Sequence, residues 1–285
     1  MTTTLEPSAA LTPGVYRGVP AEKYHAINAV SATFLKRFLL DTPAHAKAMI
    51  DGKLKEESSA MSKGTALHAA LLEPEMFAAT YAIGPEVRRN SGEWKDFVAA
   101  NPDKECLKPS ENEDVLGMRD SLWNDPYCAK AIRACDQREL TIIWNDEATG
   151  ILCKARIDLY STRSKMLLDV KTTGDLSKFD RTAFDQGYDI QICHYCNALT
   201  AAGMTAKTAG FLCSEQTAPW LPEIYQPSGE MLAGGFDLIT RAMQCVKDCH
   251  LSGNWPGYRT DNKARRLDVP PHRRTTTLDR GIFNV

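Results

Sequence analysis

Three strand-like runs in the middle of the chain most constrain what it can fold into. Residues 139–144 (ELTIIW), 151–160 (ILCKARIDLY) and 165–172 (KMLLDVKT) are rich in apolar and β-branched residues, and short polar segments separate them. Connections this short join antiparallel strands, because parallel strands need a longer crossover. The pattern therefore predicts an antiparallel three-strand meander, around which the rest of the chain has to be arranged.

Helical patterns lie on both sides of this meander. Residues 31–40 place apolar side chains on one helix face and end before Thr42-Pro43, and a second helix is predicted from Ser62 to the residue before Pro74. Further helices are predicted over 93–99, 111–123, 126–134, 179–202 and 228–250, and further strands over 208–214 and 223–226. The predicted fold is α/β, with a mixed central sheet flanked by helices.

The second hairpin of the meander places two acidic residues opposite each other. Its turn, STRSK, is centred between Arg163 and Ser164, and symmetric pairing about that point sets Asp158 against Asp169. Cross-strand partners have Cβ atoms about 4.5–5.5 Å apart, so a divalent ion can bridge the two carboxylates. Strand alternation puts Lys171 on the same face as Asp169. Since both acids lie in apolar runs, where an unpaired charge is costly, the sequence favours a bound cation over two surface acids.

Four further polar residues join this set less firmly. A turn centred near residues 148–149 brings Glu139 beside Asp158, and Gln191 and Tyr195 share one helix face because they are four residues apart. His68 lies one helical turn after Gly64, whose lack of a side chain leaves room for a phosphate or a backbone to approach. The alternative for each of these residues is an ordinary structural or surface role.

Length and composition are typical of a globular protein. The chain has 285 residues, of which 43% are hydrophobic and 25% charged, so it is long enough to bury a full core. The start of the sequence lacks the apolar segment of a secretory leader, and no run is long enough for a membrane span, which predicts a cytoplasmic protein without a membrane partner. We expect an irregular lead-in over residues 1–20, a single domain over 21–258 and a basic tail over 259–285.

The nine cysteines raise the alternative of a metal cluster. Cys193 and Cys196 form a CxxC pair, and Cys245 and Cys249 are four residues apart. No second CxxC completes a zinc pattern, so the cysteines are predicted to be mainly small buried side chains of a reduced protein.

The C-terminal tail concentrates positive charge although the whole chain has a net charge of -2. Seven basic residues against three acidic ones between Arg259 and Arg280 leave a local charge of seven minus three, or +4. This density is typical of an arm that contacts phosphates, and the alternative is a solvated tail.

An ordered series of motifs resembles a known nuclease family. GTALHAALLEP, Glu139, GILCKARIDLY, LLDVKTT and QICHY follow one another as they do in the RecE-type exonucleases (exonuclease VIII) and their phage relatives. These belong to the PD-(D/E)XK nuclease superfamily, with lambda exonuclease and the RecB nuclease domain. The resemblance runs from about Tyr24 to Tyr258, and it implies a PD-(D/E)XK nuclease core.

The resemblance also implies roles for individual residues. Asp158, Asp169 and the Val170 carbonyl would bind metal with His68 in or beside that shell, and Lys171 would be the catalytic lysine. Glu139, Gln191 and Tyr195 would complete the catalytic set as a supporting acid and two orienting residues. Ligands that are mainly oxygen suit Mg²⁺, with Mn²⁺ able to substitute and two ions possible. The residues expected to contact DNA are Arg88, Arg89, Thr172, Arg265 and Arg266.

The activity that the resemblance implies is degradation of one strand of duplex DNA from an end, 5′ to 3′, which leaves 3′ overhangs for recombination. The implied partners are DNA ends, a single-strand annealing protein of the RecT type and further copies of the chain in a ring. Thr42 stands where iron-sulfur relatives of the superfamily carry a cysteine, which argues further against a cluster. The alternatives are an endonuclease on the same fold and a catalytically idle DNA-binding module.

Overall fold

The N-terminal half of the chain is mainly helical. The computed structural model describes residues 12–54, 59–259, 263–264 and 266–268. The elements before the meander are β1 (Gly14–Tyr16), α1 (Ala21–Ala26), α2 (Ala32–Lys36), a π-helical turn (Arg37–Asp41), α3 (Pro43–Ile50), α4 (Ser59–Leu72), α5 (Pro74–Thr80), β2 (Tyr81–Ile83), α6 (Gly92–Ala100), β3 (Glu105–Leu107), α7 (Pro109–Asn124) and α8 (Pro126–Ala134).

The C-terminal half supplies most of the main sheet. Its elements are β4 (Gln137–Asn145), β5 (Leu152–Ser161), β6 (Met166–Thr173), a 3₁₀ turn (Leu176–Lys178), α9 (Phe179–Asp185), α10 (Tyr188–Ala201), β7 (Thr208–Glu215), β8 (Pro222–Tyr225) and α11 (Gly229–Ser252). The predicted meander is confirmed as β4, β5 and β6, which pair antiparallel in sequence order.

The main sheet has six strands in the order β1-β4-β5-β6-β7-β8. All neighbours are antiparallel except β6 and β7, which pair in parallel from Met166 with Thr208 to Thr173 with Glu215. A parallel pair needs a crossover, and α9 and α10 supply it. The predicted α/β fold with a mixed sheet is therefore confirmed.

Helices cover both faces of this sheet. One face packs on α2, α10 and α11 through buried side chains such as Leu35, Ile157 and Leu199. The other face packs on α4, α7 and α8 through a second cluster that contains Leu71 and Leu168. These two apolar layers hold the sheet between helices.

The structure corrects several predicted elements. The lead-in expected to be irregular contains β1, whose Tyr16 is buried and which pairs with β4. The single helix predicted over 179–202 is two helices, because Gly187 adopts a left-handed φ of 63° between them. The helix predicted from Ser62 begins at Ser59. The weakly patterned region after Tyr81 forms a small parallel sheet of β2 and β3 with α6 between them.

Candidate active site

The site begins where β5 and β6 separate. Their ladder runs from Ser161 paired with Met166 to Leu159 paired with Leu168, so the next step of the same register sets Asp158 against Asp169. The ladder ends there, and Asp158 Oδ2 instead accepts a hydrogen bond of 2.7 Å from the Val170 backbone N–H. Both carboxylates are buried at this point.

Glu139 enters the site from the neighbouring strand. The pairs Arg138 with Leu159 and Leu140 with Ile157 flank it, so Glu139 lies opposite Asp158 in the β4–β5 register. Its φ of 48° is left-handed, a conformation that costs a non-glycine residue about 1–2 kcal/mol. Backbone strain of this kind concentrates at functional sites, where the surrounding structure holds it in place.

His68, on α4, closes a group of three electron-pair donors. Its Nδ1 lies 3.5 Å from Asp158 Oδ2 and 4.0 Å from Glu139 Oε1, while its Nε2 lies 3.1 Å from the Val170 carbonyl oxygen. A carbonyl only accepts, so Nε2 donates to it and the neutral ring presents the Nδ1 lone pair to the two carboxylates. Among the described residues this is the one group of three or more His, Cys, Asp or Glu with metal-ligand geometry.

The acid–base properties of these groups also favour a bound cation. Burial, together with the charge of Asp158, raises the pKa of Glu139 to about 7. Burial, and then the charge of Asp169, raises the pKa of Asp158. Burial lowers the pKa of His68, which keeps the ring neutral. These ligand atoms fit a divalent cation, which when bound acidifies a coordinated water and offsets phosphate charge.

Asp169 occupies the other side of the site with a different set of partners. Its Oδ2 lies 2.5 Å from Lys171 Nζ, and its Oδ1 accepts a hydrogen bond of 2.9 Å from Gln191 Nε2. Gln191 Nε2 also donates to the Tyr195 hydroxyl at 3.0 Å. Burial by itself lowers the pKa of Lys171, but the carboxylates of Asp169 and Asp158 outweigh it and hold the pKa above its ordinary value. Lys171 is therefore an ammonium group in this arrangement.

A comparison with known protein families identifies the family of this chain. Residues 31–264 match the family model described as "PDDEXK-like domain of unknown function (DUF3799)". The chain belongs to this family. No curated protein matches this PDDEXK-like chain.

Two solved structures were aligned with the PDDEXK-like chain. A protein from Eubacterium rectale named "Putative exonuclease" is 15% identical and aligns over 93% of this chain and 99% of its own, with a TM-score of 0.61. A "phage related exonuclease" from Haemophilus somnus 129PT is 12% identical and aligns over 78% of this chain and 81% of its own, with a TM-score of 0.34. At these identities the first similarity shows the fold, and the second supports no argument.

The structure adds Arg156 to the residues that the sequence singled out. Its Nε donates to Glu139 Oε2, and its guanidinium also lies 3.2 Å from Glu73 Oε2 at the start of α5. Arg156 thus holds one oxygen of Glu139 and leaves the other near His68. Strand alternation was the available signal, because Arg156 lies two residues before Asp158.

The residues predicted to contact DNA lie in several places. Thr172 follows Lys171 on β6, and its Oγ1 accepts a hydrogen bond of 2.8 Å from Gln216. Arg88 is exposed before α6, and Arg89 forms a salt bridge of 2.7 Å with Glu111, so the structure does not pair Arg89 with the acidic cluster. Arg266 is exposed and pairs with Asp268 at 3.0 Å, and Arg265 lies outside the described residues.

Two remaining expectations concern cysteine and the membrane. The metal-ligand group of the described residues contains no cysteine, and Cys193 is buried in the apolar core. Within the described part of the chain, no helix combines the length and the apolar character that a bilayer crossing requires.

Proposed function

We propose that this PDDEXK-like protein is a Mg²⁺-dependent exodeoxyribonuclease of the RecE type, which hydrolyses one strand of duplex DNA from an end. One observation carries the proposal: a ligand atom of each of His68, Asp158 and Glu139 lies within 4.8 Å of the other two, beside the largely buried ammonium of Lys171. Phosphodiester hydrolysis needs a cation at the phosphate and stabilisation of the charge that develops there.

Each side chain has a distinct task in this proposal. His68, Asp158 and Glu139 hold the ion, and Asp169 with the Val170 carbonyl completes the ligand set that the resemblance implies. Lys171 is proposed to stabilise negative charge on the reacting phosphate, because its ammonium group lies at 2.5 Å from Asp169 beside the acidic cluster. Gln191 and Tyr195 keep Asp169 oriented through the hydrogen bonds described above.

The finer features of the proposal rest on the sequence resemblance alone, and the name "Putative exonuclease" of the Eubacterium rectale structure supports only the exonuclease class. They are 5′ to 3′ polarity, production of 3′ overhangs for recombination, a ring of several copies around DNA and a single-strand annealing partner of the RecT type. Mn²⁺ is proposed to substitute for Mg²⁺, and binding of two ions is proposed on the resemblance alone.

A digestion assay with labelled DNA tests the activity. Linear duplex labelled at the 5′ or the 3′ end, and a sealed circular duplex of the same sequence, are incubated with the protein and Mg²⁺. We expect early release of the 5′ label from linear DNA, later loss of the 3′ label and an intact circle. The variant Asp158→Asn serves as the control for contaminating nuclease.

The same assay separates the two alternatives. Cleavage of the sealed circle would identify an endonuclease on this fold. Binding of linear duplex in Mg²⁺ or Mn²⁺ without any product would identify an idle DNA-binding module, and undiminished cleavage in excess chelator would contradict the metal mechanism.

A further inference from the structure

The helix α2 is fixed rigidly against the sheet. Ser31 caps it by accepting a hydrogen bond of 3.2 Å from the Phe34 N–H, and Phe34 and Leu35 are buried in the core. Lys36 is its last residue, at the point where the helix widens into the π-helical turn. Such π segments are often found at functional sites. The position of Lys36 is therefore set by packing on both sides.

The side chain of Lys36 lies along the start of α10. Its Nζ donates a hydrogen bond of 3.2 Å to Gln191 Oε1, and it lies 5.6 Å from the centre of the Tyr188 ring. The aliphatic stem runs so close to Gly187 that a Cβ there would lie 3.1 Å from Lys36 Cγ. The ammonium of Lys171 lies 4.8 Å from the centre of the same Tyr188 ring, so both lysines border this aromatic side chain.

The amide of Gln191 is held between opposite charges. An ammonium group has only donors, so the amide presents Oε1 to Lys36, and an ionised carboxylate only accepts, so the amide presents Nε2 to Asp169. Nε2 also donates to Tyr195, which leaves the amide with three fixed contacts. Removal of Lys36 would remove the contact on the oxygen side and allow the amide to turn away from Asp169.

We propose that Lys36 is a positioning residue of the active site, which acts through Gln191 to hold Asp169 in its working orientation. This inference rests on the proposed nuclease function for its effect on rate, but the contact itself is independent of that function. Lys36 belongs to the N-terminal helical part of the chain, so the proposal makes α2 part of the catalytic apparatus. Partners that orient metal-site residues typically contribute about 10–100-fold to activity or metal affinity.

Three variants test the proposal in the full-length protein. Lys36→Met keeps the length of the side chain and removes its charge, and Lys36→Arg restores a donor to the Gln191 oxygen. Lys47→Met is the matched control, because Lys47 lies on the adjacent α3 and forms an exposed ion pair with Asp51. Selective ¹⁵N-glutamine labelling allows NMR to follow hydrogen exchange of the Gln191 side-chain amide. The Gln191 signal is the one that disappears in the variant Gln191→Asn. Steady-state cleavage of linear duplex reports kcat and KM.

The expected result is a linked change in both measurements. In Lys36→Met the Gln191 amide should exchange faster and kcat should fall about 10–100-fold with KM unchanged. Lys36→Arg should restore amide protection and most of the rate, and Lys47→Met should resemble the wild type.

Several outcomes would overturn the proposal. Unchanged amide exchange or an unchanged kcat in Lys36→Met would do so, and so would failure of Lys36→Arg to restore either property. A change in KM alone in Lys36→Met, with a weaker salt dependence of DNA binding, would instead make Lys36 a direct DNA contact. A wild-type protein without nuclease activity would refute the proposed function instead. The amide exchange would still test the contact of Lys36 with Gln191.

Discussion

The buried ion pair of Lys171 with Asp169 shows how one residue can serve both chemistry and stability. The Lys171 side chain is 12% exposed and that of Asp169 is 0% exposed. Breaking a buried pair from one side leaves an uncompensated charge, which typically costs about 3–5 kcal/mol. The effects of this lysine on rate and on folding must therefore be separated by experiment.

We expect Lys171→Met to lower the cleavage rate by about 10²–10³-fold and to lower the free energy of unfolding. The double variant Lys171→Met with Asp169→Asn should regain much of the stability but none of the activity, because both charges are then absent. Single-turnover cleavage and urea denaturation measure the two effects.

Lys178→Met is the matched control for this prediction. Lys178 forms a similar pair with Asp175 at 2.6 Å, but its side chain is 74% exposed, so the variant should leave both cleavage and stability nearly unchanged. Near-wild-type cleavage by Lys171→Met would mean that this hairpin is not the active site.

At the scale of secondary structure, the break between α9 and α10 decides where Gln191 points. Gly187, with a φ of 63°, separates α9, which ends at Asp185, from α10, which begins at Tyr188. The helical pattern of residues 179–202 continues through this glycine, so periodicity predicts one helix. The turn matters because it places Gln191 and Tyr188 beside Lys36 and Lys171.

Two glycine substitutions separate backbone strain from crowding at this turn. Gly187→Ala should lower the free energy of unfolding by about 1–2 kcal/mol, because alanine is strained at positive φ. It should also reduce cleavage, because the new methyl group meets Lys36 at 3.1 Å. Gly203→Ala, at a φ of 70° with no atom within 4 Å, should show a similar loss of stability with full activity. Equal activities of the two variants would refute the role assigned to this turn.

At the scale of the whole molecule, the acidic residues of the site should make the free energy of unfolding depend on pH and on divalent metal ions. The pKa of Glu139 is raised to about 7 in the folded protein, whereas a glutamate in the unfolded chain has its ordinary pKa of about 4.5. Between these two pH values Glu139 is protonated in the folded state and ionised in the unfolded state. Stability in the absence of metal should therefore fall as pH rises through this window, since the folded state holds more protons there. A divalent ion competes with those protons for the same oxygens.

We expect the rise in Tm on adding Mg²⁺ to increase between about pH 5 and about pH 8. Differential scanning calorimetry at several pH values measures this, with Asp158→Asn as the variant in which the Mg²⁺ effect is lost. A Mg²⁺ effect that is independent of pH would show that the ion binds elsewhere.

The basic tail gives a second prediction at this scale. Its sequence has a local charge of +4, and most of it lies outside the described residues. Deleting residues 259–285 should weaken DNA binding. The slope of the logarithm of the binding constant against the logarithm of salt concentration should become shallower by about one for each phosphate that the protein no longer binds. Binding isotherms at several salt concentrations measure the slope, and Arg265→Gln with Arg266→Gln should show a smaller change of the same sign. An unchanged slope would make the segment a solvated tail.

The sequence by itself determined the local features of this protein. The strands of the meander, and the register that sets Asp158 against Asp169, follow from apolar runs and a short turn, because a short connection leaves few ways to pair its strands. The longer loop between β4 and β5 left the position of Glu139 open, and the β4–β5 pairing decided it. The α/β class follows from the order of helical and strand-like segments.

Only the tertiary structure decided which of these groups meet. His68 lies beside Asp158 because α4 packs on the sheet. Arg156 forms ion pairs with both Glu139 and Glu73. Lys36 contacts Gln191, which is 155 positions away in the sequence. The parallel pairing of β6 with β7 and the addition of β1 to the sheet are equally long-range. The physical reason is that periodicity and turn chemistry act over a few residues, whereas these contacts depend on how whole elements pack to bury their apolar faces.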